Sequence, residues 1–257
     1  MNIDINVNID VNLFEILKQT YQEDFNRDTN CIGCSELPFC ARKICISRLY
    51  NIEVPTNMKM LGGKVWHSTI QSPEVLSSFL TMMYQQLGIN TSNIQVIPEK
   101  EIKTEVLPGK IIEGHIDVFT SYFLLEIKTS HILLKYWSRH VAPFHAFQLN
   151  TYLGIEKQIL GYILHINLKA FESKIIDTNK VWEKYAYLIP IRFNKDLYNR
   201  AIEKARMMFK MMDKKKFDLS GPEFDWECKT CLKEVKEICG KDIEKERELR
   251  ELSEMIE

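Results

Sequence analysis

Asp117, Glu126 and Lys128 are spaced as Asp-x8-Glu-x-Lys, on two apolar runs that read as neighbouring strands. One run is Ile111-Ile112-Glu113-Gly114-His115-Ile116-Asp117-Val118-Phe119. The other, after a break at Thr120-Ser121, is Tyr122-Phe123-Leu124-Leu125-Glu126-Ile127-Lys128. Strand alternation puts Glu126 and Lys128 on one face. A carboxylate buried beside an ammonium is costly unless something offsets it. A divalent ion held by Asp117 and Glu126, with Lys128 facing its bound water, does so. Such a centre hydrolyses phosphodiesters, lowering the pKa of the water and neutralising charge on the phosphate oxygens. The main-chain carbonyl of Ile127 is placed to join the ligands. The same spacing also arises on a strand with one solvated face, but Val118, Leu124, Leu125 and Ile127 give these runs an apolar character that such faces lack.

Around this core stand residues that could complete the chemistry. His67 follows Leu61-Gly62-Gly63-Lys64-Val65-Trp66, a segment entering a helix. A neutral imidazole there would make a mixed nitrogen and oxygen site, suited to manganese or another transition metal. His115 is a weaker candidate. Glu101 could hold a metal-bound water, although an exposed strand charge is the plainer reading. Gln148 and Tyr152 are four residues apart, on one face of the helix expected next. They could grip a nucleic-acid backbone, position Lys128 or simply pack.

The totals narrow the class. The chain has 257 residues, 45% hydrophobic and 27% charged, with a formal net charge of −1. There is no global basic field to attract nucleic acid, so phosphate contacts must come from local patches such as Arg42-Lys43 or Lys214-Lys215-Lys216. No run is long enough for a membrane-spanning helix, and no export signal is evident, so a cytoplasmic location without membrane contact is expected. Seven cysteines fall at Cys31, Cys34, Cys40 and Cys45, then at Cys228, Cys231 and Cys239. In a reducing compartment such clustering favours metal ligation, and it brings the two chain ends together. Two sets compete: Cys40 with Cys228, Cys231 and Cys239 around an iron–sulfur cluster, or Cys31-Cys34 with Cys228-Cys231 around zinc. Cys45 reads as a small buried apolar residue.

The elements follow from periodicity and punctuation. Residues 2–11 alternate as an edge strand or arm, and a helix is expected over 12–26. A short helix covers Ala41 to Tyr50. Ser72 and Pro73 start another helix, which Gly88 ends. The pattern is β from Ile94 to Lys128, with a turn at Pro108-Gly109. A helix over Phe144–Ile155 leads to a central strand, Ile159–Ile166. A strand at Tyr185–Ile191, a helix from Asn194 to Lys214 and a charged helix over Lys241–Glu257 complete the chain.

These ordered pieces resemble the CRISPR-associated RecB-type exonucleases of the PD-(D/E)XK superfamily, the fourth numbered Cas family. Cys40-Ala41-Arg42-Lys43 looks like that family's first cysteine followed by an arginine. Leu61-Gly62 to His67 looks like its Gly-to-His motif. Gly114-His115-Ile116-Asp117 and Leu125-Glu126-Ile127-Lys128 look like its catalytic carboxylates and lysine. Gln148 to Tyr152 resembles its Gln-x3-Tyr motif, and Trp226-Glu227-Cys228-Lys229-Thr230-Cys231 its C-terminal cysteine cluster. Seven residues part Cys231 from Cys239, a longer closing interval than the family's usual one.

The resemblance implies an α/β fold: a restriction-endonuclease-like core with a mixed central sheet flanked by helices. A cysteine-rich lobe would join the N- and C-terminal segments. It divides a single domain of residues 1–257 into an N-terminal extension (1–30), an iron–sulfur lobe (31–60 with 217–240), a nuclease core (61–200) and a charged tail (241–257). It favours Cys40, Cys228, Cys231 and Cys239 as ligands of a 4Fe-4S cluster, with Mg²⁺ or Mn²⁺ at His67, Asp117, Glu126 and the Ile127 carbonyl. It further implies a DNA exonuclease acting on single-stranded or frayed ends, with Gln148, Tyr152 and Arg42 supporting the substrate. The CRISPR adaptation integrase is then a partner, and the product a trimmed fragment for spacer insertion. An oligomer, a related viral or mobile-element nuclease, and a non-catalytic module binding DNA or integrase stay open.

Overall fold

The computed structural model of the chain describes residues 28–52, 58–90, 94–130, 142–168, 186–217, 227–228 and 231–240. The expected N-terminal strand, the helix over 12–26 and the charged helix over Lys241–Glu257 lie outside the described residues. The described residues form six strands, β1 (Cys31–Gly33), β2 (Val96–Leu107), β3 (Lys110–Thr120), β4 (Leu124–Ser130), β5 (Leu160–Asn167) and β6 (Ala186–Arg192). They also form helices α1 (Ala41–Leu49), α2 (Met58–Ile70), α3 (Pro73–Leu87), α4 (Pro143–Glu156), α5 (Lys195–Lys214) and α6 (233–240). Among the described residues no helix is long and apolar enough to cross a membrane.

All six strands join one mixed sheet in the order β1-β3-β4-β5-β6, with β2 also on β3. β2 runs antiparallel along the whole of β3. The other edge of β3 is shared by β1, parallel at Ile111–Glu113, and by β4, antiparallel at Val118 and Phe119. β4 and β5 are parallel and β5 and β6 antiparallel. A parallel pair needs a crossover, which α4 supplies while packing on β5 and α5.

Alternation along β4 and β5 divides two cores. Leu124 and Ile163 join Phe147, Tyr152, Ala205 and Met208, beneath α1, α4 and α5. Leu125, Ile127, Leu164 and Ile166 join Ile70, Phe79 and Met83, beneath α2 and α3. Along β3, Ile112 and Ile116 belong to the first core but Val118 to the second, so strict alternation breaks at Asp117.

The punctuation falls where the sequence places it, although the Ser72 side chain makes no capping bond. Ser72 is the N-cap of α3, Pro73 sits in its first turn, and Gly88 ends it in the left-handed conformation at φ 65°. Gly109 turns β2 into β3 at φ 70°. The Asn194 side chain accepts from the amides of Asp196 (2.9 Å) and Leu197 (3.1 Å) at the start of α5. Two elements depart from expectation. β1 is a three-residue strand too short to alternate, and the Gly62-Gly63 segment lies inside α2 rather than ahead of a helix. The missing side chain of Gly63 lets α2 approach β4, since a Cβ there would come within 3.2 Å of the Thr129 hydroxyl.

Candidate active site and cysteine cavity

β3 and β4 pair only at Val118–Leu125 and Phe119–Leu124, then part. Asp117 fills the gap, its Oδ2 accepting from the Ile127 amide at 2.5 Å. Glu126 points the other way along β4 from Ile127 and is 2% exposed. Its Oε1 accepts from Lys128 Nζ at 2.6 Å and from Gln148 Nε2 at 2.9 Å. The same Gln148 nitrogen donates to the Tyr152 hydroxyl at 2.9 Å. Gly114 makes room for Tyr152: a Cβ there would lie 3.0 Å from the ring and 3.2 Å from Cys34 Cβ. His67 Nδ1, from α2, stands 3.7 Å from Asp117 Oδ1. The expected carboxylates, lysine, histidine, glutamine and tyrosine therefore share one locality.

Its electrostatics are those of two buried acids sharing one ammonium. Burial, reinforced at Glu126 by the Asp117 charge, pushes both carboxyls up to about 7. Burial works against the Lys128 charge, but Glu126 and Asp117 together outweigh it and hold the ammonium above its usual range. His67 is lowered by burial and by Lys128, against a hydrogen bond with the Ile127 main chain that favours its charged form. Glu126 Oε2 is buried with no partner. An orphaned carboxylate oxygen beside a second acid and an imidazole is a donor set that suits a divalent cation such as Mn²⁺. Among the described residues no three His, Cys, Asp or Glu side chains close tightly enough, as they stand, to enclose a single ion. Ligation would thus draw His67 and the carboxylates inward from the 3.7 Å separation.

Four neighbours went unread in the sequence. Glu99 on β2 faces Asp117 between the rungs Pro98–Val118 and Lys100–Ile116, with its backbone at φ 48°. Its charge acts on both Asp117 and His67. Gln71 donates to Glu99 Oε1, and at 3.3 Å to the Asp117 carbonyl. His165 lies across the β4–β5 ladder from Lys128. His145 is kept neutral by burial and then by Lys128, its pKa lowered to about 2. Glu101 and His115, weighed earlier, are instead opposite each other and exposed, with Glu101 bonded to Lys103 at 2.6 Å. The Lys214-Lys216 run lies at the turn end of β3, where neighbouring Asp213 holds Lys110 at 2.7 Å. Seven residues of strand put it roughly 23 Å from Asp117.

The cysteines form a second locality. Cys40, Cys228, Cys231 and Cys239 line one cavity of about 220 Å³, together with Arg42, Lys43 and Lys236. Glu227 ties its two halves, Oε1 accepting from the Cys40 amide at 2.7 Å. Burial raises the thiols of Cys231 and Cys239. Cys31 and Cys34 lie elsewhere, buried at β1 beside Glu113 and Gly114, so the structure does not assemble the alternative set of Cys31 and Cys34 with Cys228 and Cys231. Cys45 is buried against the Met208 carbonyl, as a small core residue. Arg42, expected at phosphate, is only 6% exposed and turned into the cysteine cavity.

No family model matches the chain, and no curated protein matches it. Solved structures do. One described as SSO0001 superposes with a TM-score of 0.50 at 18% identity, over 88% of this chain and 92% of that one. The alkaline exonuclease LHK-Exo from Laribacter hongkongensis gives 0.49 at 12% identity, over 73% and 90%. A phage-related exonuclease from Haemophilus somnus 129PT gives 0.43 at 9% identity, over 68% and 81%. The last two superpositions are too loose to carry weight. This chain shares the fold of SSO0001, a mixed α/β sheet covered by helices on both faces.

Proposed function

We propose that the chain is a metal-dependent DNA nuclease, an exonuclease acting on single-stranded or frayed ends. The observation that carries this reading is the Glu126 carboxylate. One oxygen is fixed by Lys128 and Gln148; the other is buried without a partner beside Asp117. A structural ion pair would leave no such oxygen, because burying an unsatisfied acceptor costs about 1–3 kcal/mol.

Asp117 and Glu126, with His67 and the Ile127 carbonyl, are the ligands for Mg²⁺ or Mn²⁺. When bound, the ion supplies an activated water and neutralises charge on the scissile phosphate. Lys128, held charged by both acids, would face the negative charge that develops on the phosphate oxygens. Gln148 locks Glu126, and Tyr152 locks Gln148, so one acid has a fixed direction before substrate arrives. The neutral His145 and His165 beside Lys128 leave its ammonium as the local positive charge.

Cys40, Cys228, Cys231 and Cys239 fit an iron–sulfur cluster, most simply 4Fe-4S. They line one cavity of about 220 Å³, which has room for a multi-atom cluster held by four thiolates. The ordered motifs support a place beside the CRISPR adaptation integrase, trimming fragments before insertion. A gene neighbourhood holding an integrase and repeat array would agree with that pathway; virion genes would replace it with viral DNA processing.

The test is degradation of end-labelled single- and double-stranded DNA with Mn²⁺ or Mg²⁺. Wild type should release nucleotides only with metal, and Asp117→Asn and Lys128→Ala should be inactive. Equal cleavage by all three would refute the reading.

A further inference from the structure

Arg42 is a buried cation with two of its nitrogens left without a hydrogen-bond partner. The residue is 6% exposed, and its Nε and Nη1 are buried with no hydrogen-bond partner. A guanidinium is charged at any ordinary pH, so it cannot relieve this by losing its proton. Removing such a charge from water without compensation costs several kcal/mol. The group must therefore have a partner when the protein is in its working state. It lies on α1, two residues after Cys40, in the wall of the cavity that Cys228, Cys231 and Cys239 also line.

The other charges at that wall are Lys43 on the same helix, Lys236 on α6 and Glu227. Glu227 Oε1 is engaged by the Cys40 amide. Lys43 and Lys236 act on Cys231, while Arg42 acts on Cys239. The cavity wall thus presents three cations and one carboxylate to four thiols, with Arg42 the buried cation among them. That is the complement of a polythiolate anion.

We propose that Arg42 is the internal counter-ion of the group bound at the four cysteines, donating its free N–H groups to the cysteine sulfurs or to the sulfide of an iron–sulfur cluster. It is a positioning and tuning residue, with no contact to DNA. The proposal rests on the cluster reading given above. A cluster gains a negative charge on one-electron reduction, and a fixed guanidinium favours that more charged form. Arg42 therefore raises the reduction potential of the cluster and slows loss of its iron.

The experiment uses the full chain, purified without oxygen, as wild type, Arg42→Lys and Arg42→Met. Iron, acid-labile sulfide and zinc are counted, and the visible and paramagnetic-resonance signals are followed through a dithionite titration. Arg42→Met should retain its far-ultraviolet circular dichroism but reduce at a lower potential and bleach faster than wild type. Arg42→Lys should fall between them. If Arg42→Met cannot hold iron, retention by Arg42→Lys supports the counter-ion, whereas loss from both assigns Arg42 to packing and overturns it. Identical potentials and bleaching rates in wild type and Arg42→Met also overturn it, while leaving the cluster in place. A colourless wild type with stoichiometric zinc removes the cluster and this role together, without touching the carboxylate site.

Discussion

Glu99 stands across the β2–β3 ladder from Asp117, and Gln71 joins the two by donating to the carboxylate of one and the carbonyl of the other. Glu99 holds a left-handed backbone that a non-glycine residue rarely adopts inside a strand, a strain often kept where function needs a particular side-chain direction. Glu99→Gln should weaken Mn²⁺ binding about tenfold, within the range for residues that orient metal ligands. Glu101→Gln, on an exposed carboxylate bonded to Lys103, should leave it unchanged. Isothermal titration of both variants reads the difference.

Gln148 spends its amide on Glu126 and Tyr152. Gln148→Ala frees the carboxylate and should lower kcat about 10–100-fold with little change in KM for DNA. Tyr152→Phe removes only an acceptor of Gln148 and should cost less. Single-turnover cleavage under saturating DNA separates chemistry from binding.

Gly114 carries no side chain because Tyr152 and Cys34 occupy that space. Gly114→Ala should destabilise the fold by about 1–3 kcal/mol, the usual range for overpacking a close contact. Denaturant melts of the purified variant measure this directly.

Asp117 and Glu126 also set a pH dependence. Their folded values are raised to about 7, above the ordinary carboxyl range, so the fold holds these protons more tightly than the unfolded chain does. Their contribution to stability without metal is greatest below the unfolded values near ~4 and is lost as pH rises through about 7. A cation replaces the proton. The rise in Tm on adding Mn²⁺ should therefore be larger at pH 8 than at pH 5.5, and Asp117→Asn should nearly abolish it.

Much of this was legible in residue types. Apolar runs, broken by a few charged residues in β3 and β4 and nearly continuous in β5, marked those strands, and Ser72-Pro73 with Gly88 bounded α3, because local chemistry decides those features. The i, i+2 relation of Glu126 and Lys128 and the i, i+4 relation of Gln148 and Tyr152 carried directly into contacts. Glu99 was hidden by a register shift. The turn pairs Leu107 with Lys110, and an unbroken ladder from there sets Lys100 opposite Asp117. The irregularity between Glu105 and Leu107 slides β2 by one residue and delivers Glu99 instead. β1 was invisible because three residues cannot show a period, and its strand pairing comes from β3. The glycines of α2 read as a break, yet close packing on Thr129 outweighs their poor helix propensity. Cysteine spacing left two ligand sets open; the fold gathers Cys40, Cys228, Cys231 and Cys239 at one cavity and buries Cys31 and Cys34 at β1, a juxtaposition that spacing does not carry.

The most direct test of the carboxylate centre is the anomalous diffraction of Mn²⁺ in crystals of the protein. A peak bounded by Asp117, Glu126, His67 and the Ile127 carbonyl, absent from Asp117→Asn crystals, is the result expected. No peak there at saturating Mn²⁺, with Lys128 still bonded to Glu126, would reduce the pair to a buried structural salt bridge and contradict the account.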